Sequence, residues 1–319
     1  MHKLLLLFSL VFIGCQTDDH TLPSPKENTV IFDHSFNSTL LQKASLNFSP
    51  DSVKHELTPV LDEVSGILES QTNPNMLWLH EDSGNKAAIY LYDQKGNRKQ
   101  EYSLNGISAI DYEDMCRGFN GDGEFGALYI ADIGDNNTYR THVSIYRFPE
   151  PNFAQDTQLN EISNNLIEEL KLTYPIVDGI PTKENAEALF VDPLSQDLFI
   201  FTKAKSICKI MTSNGPIAFG EETKLKHVGT LRFRFQEITA ADISSNGEHI
   251  AIKSYEFIYY WNRTPNETVL EALEREPALL AYQGETKGEA ICWLQNGQRY
   301  VTVSELASNI SPKFQFYSR

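Results

Sequence analysis

Apolar and polar positions alternate in short runs along most of this chain. The clearest stretch holds four such runs, at residues 64–69, 76–80, 87–93 and 99–104, rich in Val, Ile, Leu and aromatic side chains. Turn-forming clusters separate them: Asn73-Pro74-Asn75, Asp82-Ser83-Gly84-Asn85 and Lys95-Gly96-Asn97. Short runs of this composition bounded by Gly, Pro, Asn and Asp are what strands joined by tight turns require. The stretch therefore predicts a four-stranded meander. The same unit recurs at 115–119, 127–132, 143–148 and 166–174, then at 188–191, 198–202, 206–211 and 228–233. A fourth unit takes 238–244, 249–253, 257–261 and 279–283, and a fifth takes 289–294, 300–304 and 314–317 and stops one strand short.

Every unit opens on an acidic residue: Glu63, Glu113 (within Asp111-Tyr-Glu-Asp), Glu187, Glu237 and Glu289. Self-similarity at a fixed period marks a repeat architecture in which each unit is one supersecondary element. The expectation is an all-β chain forming a single β-propeller of four-stranded blades, five as read here, with a sixth at residues 29–58 open. A pair of β-sandwiches would not produce the recurring openings. The short fifth unit predicts closure by an N-terminal strand, from 30–36 or 53–60, since an unpaired sheet edge invites aggregation. One longer interval absorbs a polar insertion at 150–165, expected as a surface loop or short helix. A helix is otherwise signalled only at 268–275.

Composition narrows the class. The 319 residues are 41% hydrophobic and 22% charged, the balance of an ordinary folded domain, with a net charge of −16. That charge argues against nucleic-acid partners and against direct binding to anionic lipid, both of which need Lys and Arg to neutralise phosphates. The N-terminus departs from this balance. Met1-His2-Lys3 is followed by an apolar run at 4–13 and then Gly14-Cys15, too short to span a bilayer and suited to an export signal. A small residue before Cys at the end of such a run resembles the lipobox of bacterial lipoproteins. It implies a signal peptide at 1–15, lipidation of Cys15, a flexible polar tether at 16–28 and a propeller domain at 29–319. An ordinary secretory signal with an incidental Cys is the competing reading. Asp18 and Asp19 resemble signals that place some lipoproteins on the outer face of the outer membrane. The expected location is thus the bacterial cell envelope, with membrane contact through the lipid alone. Cys116, Cys208 and Cys292 have no zinc-ligand spacing and are expected as small buried side chains.

In a propeller the first strand of each blade lines the central channel, so acidic residues at equivalent positions converge on one axis. Gathered carboxylates repel one another unless protonated or neutralised by a cation, and calcium takes many oxygen ligands at flexible geometry. The candidate metal ligands are Glu63, Asp82, Glu113, Asp132, Asp135, Glu187, Asp242 and Glu289. Asp132-Ile-Gly-Asp135-Asn136-Asn137 makes an oxygen-rich loop, for which an Asx turn is the alternative reading. Acidic strand starts serve equally well as caps that bind backbone N–H groups of a neighbouring blade. Glu113, Asp114 and His80 are the candidate catalytic groups, His80 because its ordinary pKa lies near neutrality. Arg140, Lys203, Lys253 and Tyr255 are candidates for holding an anionic ligand. Nucleophile-elbow, phosphate-loop and zinc-protease motifs are absent.

Six motifs in order, Glu63-Val-Ser-Gly-Ile with Leu77-Trp-Leu-His-Glu-Asp-Ser-Gly, Asp111-Tyr-Glu-Asp, Leu128-Tyr-Ile-Ala-Asp-Ile-Gly-Asp-Asn, Ala186-Glu-Ala-Leu, Thr239-Ala-Ala-Asp-Ile-Ser and Gly288-Glu-Ala-Ile, resemble a group of uncharacterised secreted bacterial β-propellers across residues 60–306. That group is more distantly similar to phytase-like and gluconolactonase-like calcium-dependent propellers. The resemblance implies a propeller and calcium and transfers no activity. Two functions are expected to compete. One is an envelope-anchored monomer that binds a small anionic ligand or a cell-surface protein or glycan. The other is a calcium-dependent hydrolase of a phosphate ester or lactone, in which Glu113 or Asp114 activates water and Lys203 or Lys253 offsets developing charge.

Overall fold

The computed structural model describes residues 31–155, 159–177, 179–233 and 237–319. Cys15 and the segments expected as an export signal and a tether lie outside them. The described chain forms five small antiparallel sheets in a ring, a five-bladed β-propeller. Blade 1 runs Val64–Glu69, Met76–Glu81, Ala88–Asp93 and Arg98–Leu104; blade 2 runs Tyr112–Phe119, Phe125–Asp132, Val143–Phe148 and Glu168–Thr173. Blade 3 has Ala186–Val191, Leu198–Thr202, Cys208–Ser213 and Lys226–Phe233, and blade 4 has Ile238–Ile243, His249–Ser254, Ile258–Asn262 and Ala278–Leu279. Blade 5 contributes Gly288–Leu294, Arg299–Ser304 and Lys313–Ser318. The innermost strands are buried along nearly their whole length, because each packs against both neighbouring inner strands around the axis.

Closure by N-terminal residues holds, and it takes more than one strand. Residues 31–61 form neither a sixth blade nor a single closing strand. They run as a belt around the outside of the ring, touching the outer edges of four blades in turn. Phe32–Phe36 pairs in parallel with Lys226–Phe233 of blade 3. Gln42 and Ala44 exchange backbone hydrogen bonds with Leu279 of blade 4. Ser49–Pro50 and His55–Glu56 both pair with Lys313–Ser318 and complete blade 5. Thr58 then bonds Gly96 and Arg98 of blade 1. The 53–60 candidate thus takes part in closing the last blade, and the 30–36 candidate covers a different one. The remaining edge strands are covered too: Glu161–Ile162, inside the polar insertion, pairs with blade 1, and Glu222–Lys224 pairs with blade 2. Short apolar segments too weak to make a sheet alone each satisfy one exposed edge.

The core lies between the sheets. Trp78 and Trp261 are among its largest fully buried side chains. Gly229 is required where the belt crosses blade 3, since a Cβ there would stand 2.4 Å from the Phe32 ring. The signalled helix is present as Val269–Leu273, opened by a Thr268/Glu271 capping box and buried on its apolar side. Cys116, Cys208 and Cys292 are free and buried.

Candidate functional site at one mouth of the channel

A β-bulge sets the geometry. In every blade the pairing of the first and second strands slips by one residue near the start of the first, between Val64 and Gly66, Tyr112 and Asp114, Ala186 and Ala188, Ile238 and Ala240, and Gly288 and Ala290. The residues left out of register are Ser65, Glu113, Glu187, Thr239 and Glu289. A bulge re-aims one side chain and shifts the facing of what precedes it. The equivalent openings are therefore those five. Glu63 lies two residues earlier on the exposed rim, and Asp242 lies three residues past its own bulge, deeper in the channel.

At the mouth between blades 1, 2 and 3 the carboxylates crowd. Glu113 and Glu187, both buried, are hydrogen-bonded to each other, and burial followed by the Glu187 charge pushes Glu113 well above the ordinary carboxylate range. Burial also raises Glu187, against the pull of Lys203, whose Nζ lies 3.1 Å from its carboxylate. Asn185 Nδ2 donates to the same carboxylate at 3.0 Å. Burial raises Asp82 to about 7, with the nearby Asp111, Glu187 and Glu305 charges adding to it. Asp111 is raised by burial as well and is hydrogen-bonded to Asp82 and Ser83. Asp82, Asp111 and Glu113 each offer a carboxylate oxygen, all within 4.8 Å of one another, and Asp82 makes a second such group with Glu63 and Glu305. Gly134 lets the Asp132–Asn136 loop close over them: a Cβ there would lie 2.1 Å from Glu113 Oε1 and 2.5 Å from the Asp111 carboxylate.

On the far side of the mouth the pattern alternates in charge. Burial alone would lower Lys203, but the Glu187 and Glu289 charges outweigh it and raise it. The Lys203 ammonium sits 5.6 Å from the centre of the Tyr255 ring, and Tyr255 donates its hydroxyl to Glu289 at 2.9 Å. Lys203 and Tyr255 thus belong to the mouth. Lys253 is fully buried, donating to the carbonyls of Gly288 and Ser254 and lying 5.0 Å from the Tyr282 ring centre. Burial lowers its pKa.

Other candidates are held in the framework. Asp114 is sealed on the axis, accepting from Met115 N at 2.8 Å, Leu189 N at 3.1 Å and Ala241 N at 3.3 Å, so one carboxylate joins blades 2, 3 and 4. Asp242 accepts from Ile243 N at 2.9 Å and Trp293 N at 2.6 Å, joining blades 4 and 5, and burial raises it to about 7. These two fill the capping role weighed for acidic strand starts. Asp132 is fully buried against Arg140, 2.6 Å away, and accepts from Ile110 N and Asp111 N. Asp135 accepts from Tyr139 N and Arg140 N, both at 2.8 Å, so its carboxylate closes the loop that follows it, with bonds four and five residues on rather than the two of an Asx turn. His80 is enclosed within blade 1, its ring against Gly66 and edge-on to Tyr112, and burial lowers it to about 4. It stays neutral near pH 7 and has no opening to solvent. Asp111 and Glu305 were not among the metal candidates. Both stood in the acidic clusters that open blade 2 and close the second strand of blade 5, so the signal was there, but the choice among adjacent acids depended on the bulge.

Comparison with family models and with curated proteins returns no match. The site is therefore read from its own chemistry: three carboxylates from two blades, set within reach of one oxygen-coordinated cation, beside a Lys–Tyr–Glu arc.

Proposed function

We propose that this protein is an envelope-anchored binding propeller whose channel mouth seats a cation, calcium by the character of its ligands, and engages a ligand or partner there. The observation that carries this reading is the Asp82–Asp111–Glu113 group. Its oxygens gather within 4.8 Å, and among the described residues none of the three forms an ion pair, whereas neighbouring Glu187, Glu305 and Asp132 each have a cationic partner. An all-oxygen carboxylate set suits a hard cation rather than zinc or copper. The anchor rests on the Gly14-Cys15 sequence alone. Hydrolysis is the second reading: of its set Glu113 and Lys203 stand at the mouth, while Asp114 and His80 are sealed from it and Lys253 is engaged with backbone carbonyls.

Isothermal titration of the chelator-treated protein with calcium at pH 7.5 tests this. A saturable site that disappears in Glu113→Gln with Asp82→Asn, in a protein that still melts cooperatively, is expected. Absence of binding heat, together with a melting temperature indifferent to calcium and to chelator, would overturn it.

A further inference from the structure

Exposed apolar side chains border the acidic mouth. Ile176–Val177 and Ile180–Pro181 form a short hairpin between the last strand of blade 2 and the first of blade 3, and Ile176, Val177 and Ile180 all face solvent, Ile180 at 70% exposure. Tyr139, 77% exposed, lies in the adjoining loop, and Ile110 precedes Asp111 directly. The residues that follow the hairpin, Lys183 and Asn185, join the mouth loop. Lys183 Nζ donates to the Tyr139 carbonyl at 3.1 Å, and Asn185 Oδ1 accepts from Asp135 N at 2.6 Å while its Nδ2 donates to Glu187. Exposed large apolar groups gathered beside a charged cleft mark an interaction surface, and interfaces favour aromatic and apolar anchors next to a paired charge.

We propose that this face docks a protein segment that inserts an Arg or Lys side chain among Asp82, Asp111 and Glu113 and rests an adjacent apolar side chain on Tyr139 and the 176–180 hairpin. The proposal rests on the reading of the mouth as a cation seat and names its partner. Charge complementarity selects the occupant. A guanidinium or ammonium meets unpaired carboxylates, a lipid phosphate would be repelled by them and by a chain of net charge −16, and a second copy would bring the same acidic mouth against itself. Calcium and the partner's cationic side chain compete for the same oxygens, so calcium regulates docking.

A library of random twelve-residue peptides displayed on phage, selected against the full chain in chelator, tests this. Selected peptides are expected to carry Arg or Lys beside a Leu, Phe or similar residue. Their affinity should fall about tenfold in the charge-neutral double variant Tyr139→Ser with Ile180→Ser, fall further in Asp82→Asn, and weaken when calcium is added. Exposed substitutions of this kind leave the fold intact, which a melting curve verifies. Peptides lacking a cationic residue, no enrichment at all, or binding indifferent to Tyr139→Ser with Ile180→Ser would overturn the proposal; the last outcome marks mere attraction to an acidic surface. Calorimetry with calcium alone separates the two readings. A chain that binds calcium but selects no such peptides keeps its cation seat and loses the docking surface.

Discussion

Glu113 and Glu187 meet across the seam between blades 2 and 3, two buried carboxyl groups hydrogen-bonded to each other, and of the two only Glu187 has an opposite charge against it, Lys203 at 3.1 Å. Only one of them can ionise freely in that arrangement, so without a cation the mouth holds protons.

Stability should consequently depend on pH in a direction opposite to that of most acidic proteins. Asp82 is raised to about 7 in the fold from an ordinary 3.8, Asp242 likewise, and Glu113 is raised too. The folded state then binds more protons than the unfolded one between about pH 4 and pH 7, and these groups withdraw stability as pH rises through that window. In chelator the melting temperature should fall from pH 5 to pH 8. Calcium, binding the deprotonated form, should flatten the fall. A melting temperature that rises across this range in chelator would contradict the assignment.

Gly134→Ala should damage the mouth specifically. Its Cβ would meet the carboxyl ends of Glu113 and Asp111, which must swing out of their shared arrangement, so the stability loss should lie at or below the low end of the about 1–3 kcal/mol of core overpacking. Chemical denaturation should show that loss together with weakened calcium binding.

Asp114 should behave as a framework group. Replacing it with Ala strands the buried N–H groups of Met115, Leu189 and Ala241, each worth about 1–3 kcal/mol when left unpaired. Asp114→Asn, retaining one acceptor oxygen, should cost less. In Asp114→Asn the folded protein should still bind calcium, because the Asp114 carboxylate is turned to the N–H groups of Met115, Leu189 and Ala241 and not to the mouth; a complete loss would instead make Asp114 a ligand.

The belt contact on blade 3 predicts a coupling. Gly229→Ala drives a methyl group into the Phe32 ring, and Phe32→Ala empties the same space. Each alone should destabilise, the second by about 3–5 kcal/mol for a large buried ring truncated to Ala. The double variant should cost less than the two together, by about 1 kcal/mol or more, because the added methyl fills part of the cavity.

Much of the propeller could be read from the chain. Residues 64–104 hold four short runs rich in β-branched, aliphatic and aromatic side chains, turn residues separate them, and the acidic openings recur, because strand composition and turn chemistry are local properties. The belt could not be read this way. Its strands are two to five residues long, and what they pair with is decided by which sheet edges lie open in the finished ring. The site was legible as a set of acids near strand starts. Which acids meet was not, since Glu63, Glu113, Asp114 and Asp242 look alike in sequence and differ by one to three positions around a bulge.

The alternation of side chains and the recurrence of acidic starts are written in residues a few places apart, and they suffice to specify five four-stranded blades around an axis. Whether a given carboxylate reaches a neighbouring blade's N–H groups, as Asp114 and Asp242 do, or stands with others at the mouth, as Asp82, Asp111 and Glu113 do, depends on contacts between residues up to 127 positions apart. One residue of register reverses the facing of a strand, and that register is set only when the blades close on one another.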